Sequence, residues 1–275
     1  MNLYRSLILL CLLIIQPALA LTLHSHHDSE IAPPRWSKAE QDWLRQAKLL
    51  RVGLLEQDYR PFSMIVSQSR FEGISADYLG ILAKMLHKPL ALRPFADKES
   101  ALLALRRGEI DLVNLGNLTL ADTEASGIRL SRPYFSSPLV FSAPKPHQGH
   151  LLTPGQRVAA VKGQIDAQRF RLYYPTLTLV THPSNAEAFD AVFFGRQEIL
   201  LSDAHAMHYL NSERFDHLRQ RGEAPPSLAP ADFRFALSTR VPALLGLINH
   251  GLDAIDEGTR NAIFSQWNGP IRDMN

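Results

Sequence analysis

The strongest constraint on the fold is an alternation of strand-like and helix-like patterns that occurs twice along the chain. In the first series, the apolar run from Leu49 to Leu55 is followed by a helical pattern from Ala76 to His87 with one apolar face. Short apolar runs bounded by turn residues are typical of strands buried on both faces. Strands that alternate with helices favour an open, mostly parallel sheet. The sequence therefore predicts an α/β fold.

The alternation continues and then starts again. Further strands are predicted at Leu90 to Phe95 and Asp111 to Leu115, with a helix from Glu99 to Arg107 that ends at Gly108. A second series begins after Lys145, and its elements are predicted at Arg157 to Val161, Asp166 to Tyr174, Leu177 to Thr181, Asn185 to Phe194, Ile199 to Ser202 and Asp203 to Asn211. A remainder follows, with a strand at Phe233 to Leu237 and helices at Pro242 to Ile255 and Asn261 to Trp267. Two series of alternating strands and helices predict two lobes, and the C-terminal elements that remain would complete one of them.

The N-terminus has the pattern of a secretory signal peptide. Arg5 precedes an apolar run from Leu7 to Ile15, and Ala18-Leu19-Ala20 is a small-residue cleavage site. A membrane anchor is the alternative, but the run is shorter than the roughly 20 residues that a spanning helix needs. We therefore expect cleavage after Ala20 and export to the periplasm.

The charge and cysteine content exclude several kinds of protein. The chain has 29 basic and 27 acidic residues, and cleavage would remove Arg5, which leaves 28 against 27. Such a balance does not indicate a nucleic-acid partner. The single cysteine, Cys11, lies inside the predicted signal. The mature chain is therefore expected to have no disulfide and no thiolate metal site.

Residues 21 to 48 are predicted to form a leader and an N-terminal helix. From 21 to 36 the chain has no apolar periodicity, which indicates a flexible segment. His24, His26 and His27 could bind a metal loosely, but no carboxylate stands at ligand spacing, so a solvated tail is the preferred interpretation. Ser37 with Glu40 has the spacing of a capping box at the start of a helix.

Several short motifs occur in one order and spacing over nearly the whole mature chain. They are Leu50-Arg51-Val52-Gly53, Tyr59-Arg60-Pro61-Phe62-Ser63, Phe71-Glu72-Gly73-Ile74-Ser75-Ala76-Asp77-Tyr78-Leu79, Gly108-Glu109-Ile110-Asp111-Leu112, Arg132-Pro133-Tyr134-Phe135 and Gln266-Trp267. In this arrangement the chain resembles the extracytoplasmic solute-binding proteins of family 3, the amino-acid type. The run from Gly73 to Leu79, after a tryptophan-containing helix, is especially similar to the periplasmic sensor domains of Bvg-type histidine kinases.

The resemblance implies a fold and its boundaries. Family members are two-lobed periplasmic binding proteins of type II, or Venus flytraps, with two hinge crossovers. For this chain it implies lobe one at 49–140 and 231–275, lobe two at 141–230, and crossovers near Pro138 to Ser142 and Phe233 to Leu237. Residues 1–20 and 21–48 would be the signal peptide and the leader with its helix.

The resemblance also implies a set of ligand-binding residues. Tyr59 and Phe62 stand where the family places an aromatic ring against the ligand, although rim packing is an alternative. Asp203 matches the acid that pairs with an α-amino group, and it could also be the N-cap of its own helix. Gly116, Leu118 and Thr119 stand where carbonyls and a hydroxyl meet a ligand ammonium, and Gly163 with Gln164 stands at the start of a lobe-two helix.

Two departures from the family pattern affect the expected ligand. Where amino-acid binders have an arginine that grips the α-carboxylate in two hydrogen bonds, this chain has Glu124, and the second threonine of the motif is Ala121. Arg129 or Arg60 could take the place of that arginine, or either could be a solvated surface residue. We therefore expect poor binding of neutral and acidic amino acids and a preference for cationic or neutral polar ligands.

The sequence is compatible with three alternative functions on this fold. A monomeric binding protein could deliver a small polar ligand to an ABC transporter permease, or it could be a sensory module that signals to a membrane kinase. A dehydratase-type enzyme on the same fold is a third alternative. His205 and His208 have a spacing that can hold a metal, but no third ligand is apparent. The sequence predicts no catalytic residue, metal or cofactor.

Overall fold

The computed structural model describes residues 21–27, 29–116, 127–145, 152–214, 216–229 and 232–268. The helices in this part of the chain are α1 Lys38–Gln46, α2 Ile74–Leu86, α3 Lys98–Arg107, α4 Ala167–Tyr173, α5 Asn185–Phe193, α6 Ala204–Glu213, α7 Pro242–Ala254 and α8 Glu257–Gln266. The strands are β1 Thr22–Leu23, β2 Leu50–Leu55, β3 Met64–Val66, β4 Arg70–Glu72, β5 Leu90–Phe95, β6 Leu112–Asn114, β7 Ile128–Leu130, β8 Phe135–Ser136, β9 Leu139–Pro144, β10 Arg157–Val161, β11 Thr178–His182, β12 Ile199–Asp203, β13 Leu218–Glu223, β14 Asp232–Phe233 and β15 Phe235–Ser238.

Two five-stranded sheets form the centres of two lobes. In lobe one the strand order is β5-β2-β6-β15-β7, with β2 parallel to its neighbours and β15 antiparallel to both of its own. In lobe two the order is β11-β10-β12-β9-β13, with a parallel centre and an antiparallel edge. The chain is therefore an α/β protein with two lobes, as the sequence predicted.

The lobes are joined through the two-stranded sheet of β8 and β14. These strands are antiparallel, with Phe135 opposite Phe233. One leads from lobe one to β9, and the other leads back from lobe two to β15. The crossing thus lies slightly before the predicted segments, because Leu139–Pro144 already belongs to the sheet of lobe two. The complete lobe boundaries stay a prediction.

Local signals in the sequence account for the helix ends. The predicted capping box is confirmed: the Ser37 side chain accepts from the Glu40 amide, and the Glu40 carboxylate accepts from Ser37. Asp97 caps α3, which ends at Gly108 with a φ of 74°. The last helix begins at Glu257, four residues before the predicted Asn261, because Asp256 accepts a hydrogen bond from the Thr259 amide at 2.8 Å.

The prediction of a flexible segment from 21 to 36 is wrong for its first residues. Strand β1 pairs in parallel with β4, so that Leu23 lies opposite Phe71. The Asp77 carboxylate, buried at the start of α2, accepts from the backbone of His26 at 2.7 Å and from the Ser25 hydroxyl at 3.0 Å. Strand β1 has only two residues, too few to show a strand periodicity in the sequence. Its partner strand lies some fifty residues further along the chain.

The C-terminal helices pack on lobe one. Helix α7 contacts α1, α2 and β15, and α8 contacts α2. The indole nitrogen of Trp267 donates to Asp77, in the first turn of α2, at 2.6 Å. Among the described residues, no helix is long and apolar enough to cross a lipid bilayer.

Candidate functional site

A cavity of about 580 Å³ lies between the two lobes. This volume is in the range of clefts that bind small molecules. Its walls come from the loops at the carboxyl ends of β2, β5, β6 and β10, where open α/β sheets bind ligands. The described residues that line it include five of the predicted site residues: Tyr59, Phe62, Gly116, Gly163 and Gln164.

Tyr59 lies in the loop after β2 of lobe one and bonds to lobe two. A tight turn positions it, in which the Tyr59 amide donates to the Ser63 carbonyl at 2.9 Å. Its hydroxyl donates a hydrogen bond to the Asp203 carboxylate. Burial, followed by the charge of Asp203, raises the pKa of Tyr59 well above its usual value. The hydroxyl is therefore a protonated donor throughout the physiological range.

The helix-cap role that the sequence offered for Asp203 is confirmed, whereas its pairing with a ligand amino group stays a prediction. It ends strand β12 and caps α6, and one of its oxygens accepts from the Ala206 amide at 2.8 Å while the other accepts from Tyr59. Burial raises the pKa of Asp203, whereas the hydrogen bond from Tyr59 acts in the opposite direction. Asp203 does not itself line the cavity; it lies behind the Tyr59 hydroxyl.

Phe62 lies in an aromatic stack at the floor of the cleft. Its ring is nearly parallel to that of Phe233, with centroids 3.8 Å apart, and the Tyr59 ring also stacks against Phe62, with centroids 5.7 Å apart. Only 1% of Phe62 is exposed. Phe62 is thus a core residue, and its contact with a ligand stays a prediction. The sequence analysis did not identify Phe233, since a crossover strand carries no signal for a site.

Three further contacts hold the lobes together. The Gln57 side chain donates to the Pro183 carbonyl at 2.6 Å. The Asn185 side chain accepts from the Arg60 amide at 3.1 Å and donates to the Arg60 carbonyl. We name the Tyr59, Gln57 and Asn185 contacts the cleft latch. The sequence predicted only Tyr59, because glutamine and asparagine in a loop or helix start are most often surface residues.

The two predicted glycines line the cavity with left-handed backbone. Gly116 has a φ of 66° and Gly163 a φ of 84°, a region that residues with a Cβ rarely adopt. An added Cβ at Gly163 would meet no atom within 4 Å, so backbone geometry, not crowding, requires this glycine. Leu118, Thr119 and Glu124, which the sequence also predicts at the site, lie outside the described residues.

The two arginines considered as replacements for the carboxylate-gripping arginine are absent from the described lining of the cavity. Arg60 is paired with Asp58 at 2.8 Å, and Arg129 lies exposed on the edge strand β7. The charged residues of the described lining are three acids and two lysines: Glu56, Asp97, Glu99, Lys98 and Lys162.

His205 and His208 differ in their surroundings, despite their helical spacing. His205 is buried against Phe62, Phe135 and Phe264, whereas His208 is exposed. Burial, with a smaller contribution from His208, lowers the pKa of His205 to about 4. His205 is thus a neutral ring in the aromatic wall between the lobes.

Comparison with known proteins identifies the family. Residues 50–270 match the sequence model of the bacterial extracellular solute-binding proteins, family 3. The chain belongs to this family. The predicted resemblance is therefore confirmed, and membership implies that this solute-binding protein works outside the cytoplasm.

Its relatives include sensor proteins. The solute-binding protein is 29% identical over 227 residues to the virulence sensor protein BvgS of Bordetella pertussis, a match that covers 82% of this chain and 18% of BvgS. It is 24% identical over 248 residues to the sensor protein EvgS of Escherichia coli K12, which covers 89% of this chain and 20% of EvgS. The chain thus spans about a fifth of the length of these relatives.

Solved structures show the same fold. The periplasmic domain of B. pertussis BvgS has a TM-score of 0.77 at 27% identity, over 90% of this chain and 48% of that one. The BvgS VFT2 domain has a TM-score of 0.73 at 24% identity, over 85% of this chain and 99% of that one. An ancestral amino acid-binding protein, AncCDT-1, has a TM-score of 0.66 at 22% identity, over 84% and 99%. The Venus-flytrap fold predicted from the sequence is therefore confirmed.

Proposed function

We propose that this protein is a periplasmic sensory module that binds a small polar ligand between its lobes. A membrane sensor protein would then recognise the closed conformation. The main support for this proposal is the hydrogen bond from Tyr59 to Asp203, which joins the lobes beside a cavity of about 580 Å³. A contact of this kind makes closure depend on the chemistry inside the cleft. Closure then converts occupancy into a shape that a partner can recognise.

The buried acid behind the cavity favours a ligand that carries a donor or a positive charge. An ammonium or amide group in the position of the Tyr59 hydroxyl would donate to the same Asp203 oxygen, and burial strengthens such a bond. The described residues that line the cavity include three acids and two lysines, so they provide no excess of positive charge that would attract the free carboxylate of a ligand. Glu124, outside the described residues, would add a further acid at the position of the family's arginine.

The proposed binding set therefore consists of Tyr59, Phe62, Gly116, Gly163, Gln164 and Asp203, together with Leu118, Thr119 and Glu124. Diamines, cations without a carboxylate and neutral polar molecules fit this set better than glutamate or glutamine. Neither catalysis nor a metal is required for such binding. Turnover of prephenate or arogenate by the purified protein would contradict the binding role and favour an enzyme.

The ligand class is tested by calorimetry on the mature chain with putrescine, agmatine and simple amides against the standard amino acids. We expect saturable binding of a cation or an amide, with at least tenfold weaker binding in Asp203→Asn. Asp166→Asn is the matched control, because Asp166 also caps a lobe-two helix, through the Gln168 amide at 2.8 Å, but does not line the cavity. Glu124→Arg should move the preference toward amino acids. Tight glutamate or glutamine binding by the unmodified protein would overturn the proposed ligand class.

Sensing is favoured over uptake because the relatives BvgS and EvgS are sensor proteins. Deletion of the gene should abolish a transcriptional response to the ligand and leave the rate of its uptake unchanged. Loss of uptake with an intact response would instead support delivery to an ABC transporter permease. Mass spectrometry of the periplasmic protein should find Leu21 at the N-terminus, and a retained Met1 would contradict the proposed signal cleavage.

A further inference from the structure

Three metal-binding side chains meet on the surface of lobe one, away from the cleft. His24 and His26 follow strand β1, and Glu72 ends strand β4. One ligand atom from each of the three lies within 4.8 Å of the other two. Two imidazole nitrogens and one carboxylate oxygen form a set that binds zinc and other late divalent transition metals.

The pairing of the two strands explains why these side chains converge. Leu23 lies opposite Phe71, and the His24 amide donates to the Phe71 carbonyl at 2.9 Å, so the pairing continues past the end of β1. The chain bends at His26, just after the strand, and the rings of His24 and His26 lie next to each other. The parallel register brings Glu72, the residue after Phe71, beside them.

The distances suit a single ion. Two ligands bound to tetrahedral zinc at about 2.0 Å are separated by about 3.3 Å. The Nε2 atom of His26 lies 3.4 Å from a carboxylate oxygen of Glu72, longer than a usual hydrogen bond and close to that separation. The rings of His24 and His26 are 4.7 Å apart and perpendicular. A rotation of the His24 side chain would bring its nitrogen to the same ion.

The charges around the site allow Glu72 to serve as a ligand. Its side chain is 12% exposed, and one of its oxygens is 3.1 Å from the Arg70 guanidinium while the other faces His26. Arg70 thus balances part of the carboxylate charge without occupying the oxygen that faces the imidazoles. The His26 side chain is 31% exposed, which leaves a path for an ion from solvent.

The backbone of the site is held in place before any ion binds. The Asp77 carboxylate accepts hydrogen bonds from the amides of His26 and His27, at 2.7 and 3.3 Å, and from the Ser25 hydroxyl. The His26 ring also contacts the edge of Trp267, with centroids 5.1 Å apart. A site whose ligands are already positioned loses less conformational entropy on binding.

We propose that His24, His26 and Glu72 form a binding site for a zinc-class divalent cation, with water completing the coordination. The ion would join β1 to β4 and so fasten the N-terminal segment to lobe one. This site is independent of the cleft ligand. The sequence analysis set the histidines aside because no carboxylate stood at ligand spacing in the chain, and the structure supplies one from residue 72.

The test uses the mature chain without a polyhistidine tag. Titration with ZnCl₂ should show one saturable site and a rise in Tm, and CoCl₂ should give visible d–d bands with the intensity of a low coordination number. His26→Ala and His24→Ala should each weaken Zn²⁺ binding at least tenfold and remove the Co²⁺ bands. MgCl₂ should have no effect, because Mg²⁺ prefers an all-oxygen octahedral site.

His250→Ala is the matched control, because His250 also faces a buried glutamate, Glu40, at 3.0 Å, but is not part of the cluster of three ligands. It should keep full Zn²⁺ binding and the Co²⁺ spectrum. Glu72→Gln is less decisive, because loss of the buried charge can itself disturb folding. The histidine variants therefore decide the test. Absence of a saturable site in the unmodified protein, or equal Zn²⁺ affinity in His26→Ala, would overturn the proposal.

Discussion

The Tyr59 hydroxyl donates a hydrogen bond to the Asp203 carboxylate, and the two residues are 144 positions apart and belong to different lobes. Around this pair, Asn185 bonds the Arg60 backbone and Gln57 bonds the Pro183 carbonyl. The cleft latch therefore consists of protein groups that must separate for the lobes to open. Each of its contacts can be removed by one substitution, which makes closure accessible to measurement.

Tyr59→Phe should shift the lobes toward an open arrangement. The change leaves the ring in its stack but removes the donor to a buried carboxylate, which costs about 1–3 kcal/mol. Spin labels at Leu103→Cys and Leu172→Cys, exposed by 44% and 81% in lobe one and lobe two, would report the distance between the lobes. The mature chain has no other cysteine, because Cys11 lies in the predicted signal. We expect a longer or broader distance distribution.

Tyr173→Phe is the control for that measurement. The Tyr173 hydroxyl also hydrogen-bonds a side chain, that of Ser227, but on the exposed surface of lobe two. Its loss should change neither the distance between labels nor, by more than about 0.5 kcal/mol, the free energy of unfolding. An unchanged distance in Tyr59→Phe would show that the aromatic stack and the other contacts hold the lobes without this hydrogen bond.

The hydrogen bonds from the Asn185 side chain to the Arg60 backbone should stabilise the closed arrangement independently of Tyr59. Asn185→Ala removes both bonds to Arg60 and leaves the backbone groups to find water. Asn211 is a close chemical match, because it accepts from the Leu218 amide at 2.7 Å and donates to its carbonyl at 3.0 Å within lobe two. Both variants should lose about 1–3 kcal/mol of stability. Only Asn185→Ala should lengthen the distance between the labels, and a lengthening in Asn211→Ala would contradict this division.

Much of the fold could be predicted from the sequence because its central elements have strong local signals. The strand Leu90–Phe95 and the strand Arg157–Val161 begin and end at the predicted residues. Helix Lys98–Arg107 is bounded by an aspartate cap and a glycine, both of which act within one turn. Strands β1, β3, β4 and β13 were not predicted: the first three have only two or three residues each, and β13 is an edge strand, so all four depend on a partner strand more than on their own residues.

The site was predictable only in part, for a related reason. The loops at the carboxyl ends of parallel strands were identified from the order of elements, and Gly116 and Gly163 do line the cavity. Asn185, Gln57 and Phe233 were not identified, because their roles arise only when two lobes meet. The pairing of Tyr59 with Asp203 likewise has no local signal, although each residue was predicted separately.

The contact between α1 and α7 should depend on Gly246. A Cβ at this position would lie 2.3 Å from a Glu40 oxygen, and that carboxylate is held by His250 and by the capping box. Gly246→Ala should therefore lower the free energy of unfolding by about 1–3 kcal/mol. In a Glu40→Ala background the clash is gone, and the same change should stabilise by up to about 1 kcal/mol through helix propensity. Denaturant unfolding of the four proteins of this cycle measures the coupling, and additive effects would contradict it.

Acid should destabilise the protein through His205. In the folded state burial lowers the pKa of His205 to about 4, whereas an unfolded histidine titrates near 6.5. The neutral ring is therefore favoured by folding, and its contribution is fully present above pH 6.5 and is lost as the pH falls from about 6.5 to 4. A difference of this size corresponds to about 3 kcal/mol.

His205→Leu isolates this effect from other groups that titrate in the same range. Asp203, whose pKa burial raises, acts in the opposite direction on acidification, and it is present in both proteins. The leucine variant keeps an apolar side chain against Phe62, Phe135 and Phe264 but cannot bind a proton. Between pH 7 and pH 4.5 the unmodified protein should lose more stability in urea than the variant does. Because His205 lies in the wall between the lobes, the spin-label distance should also lengthen on acidification only where the histidine is present. Parallel pH profiles for the two proteins would show that the ring remains hydrated when folded and that its pKa is not lowered by burial.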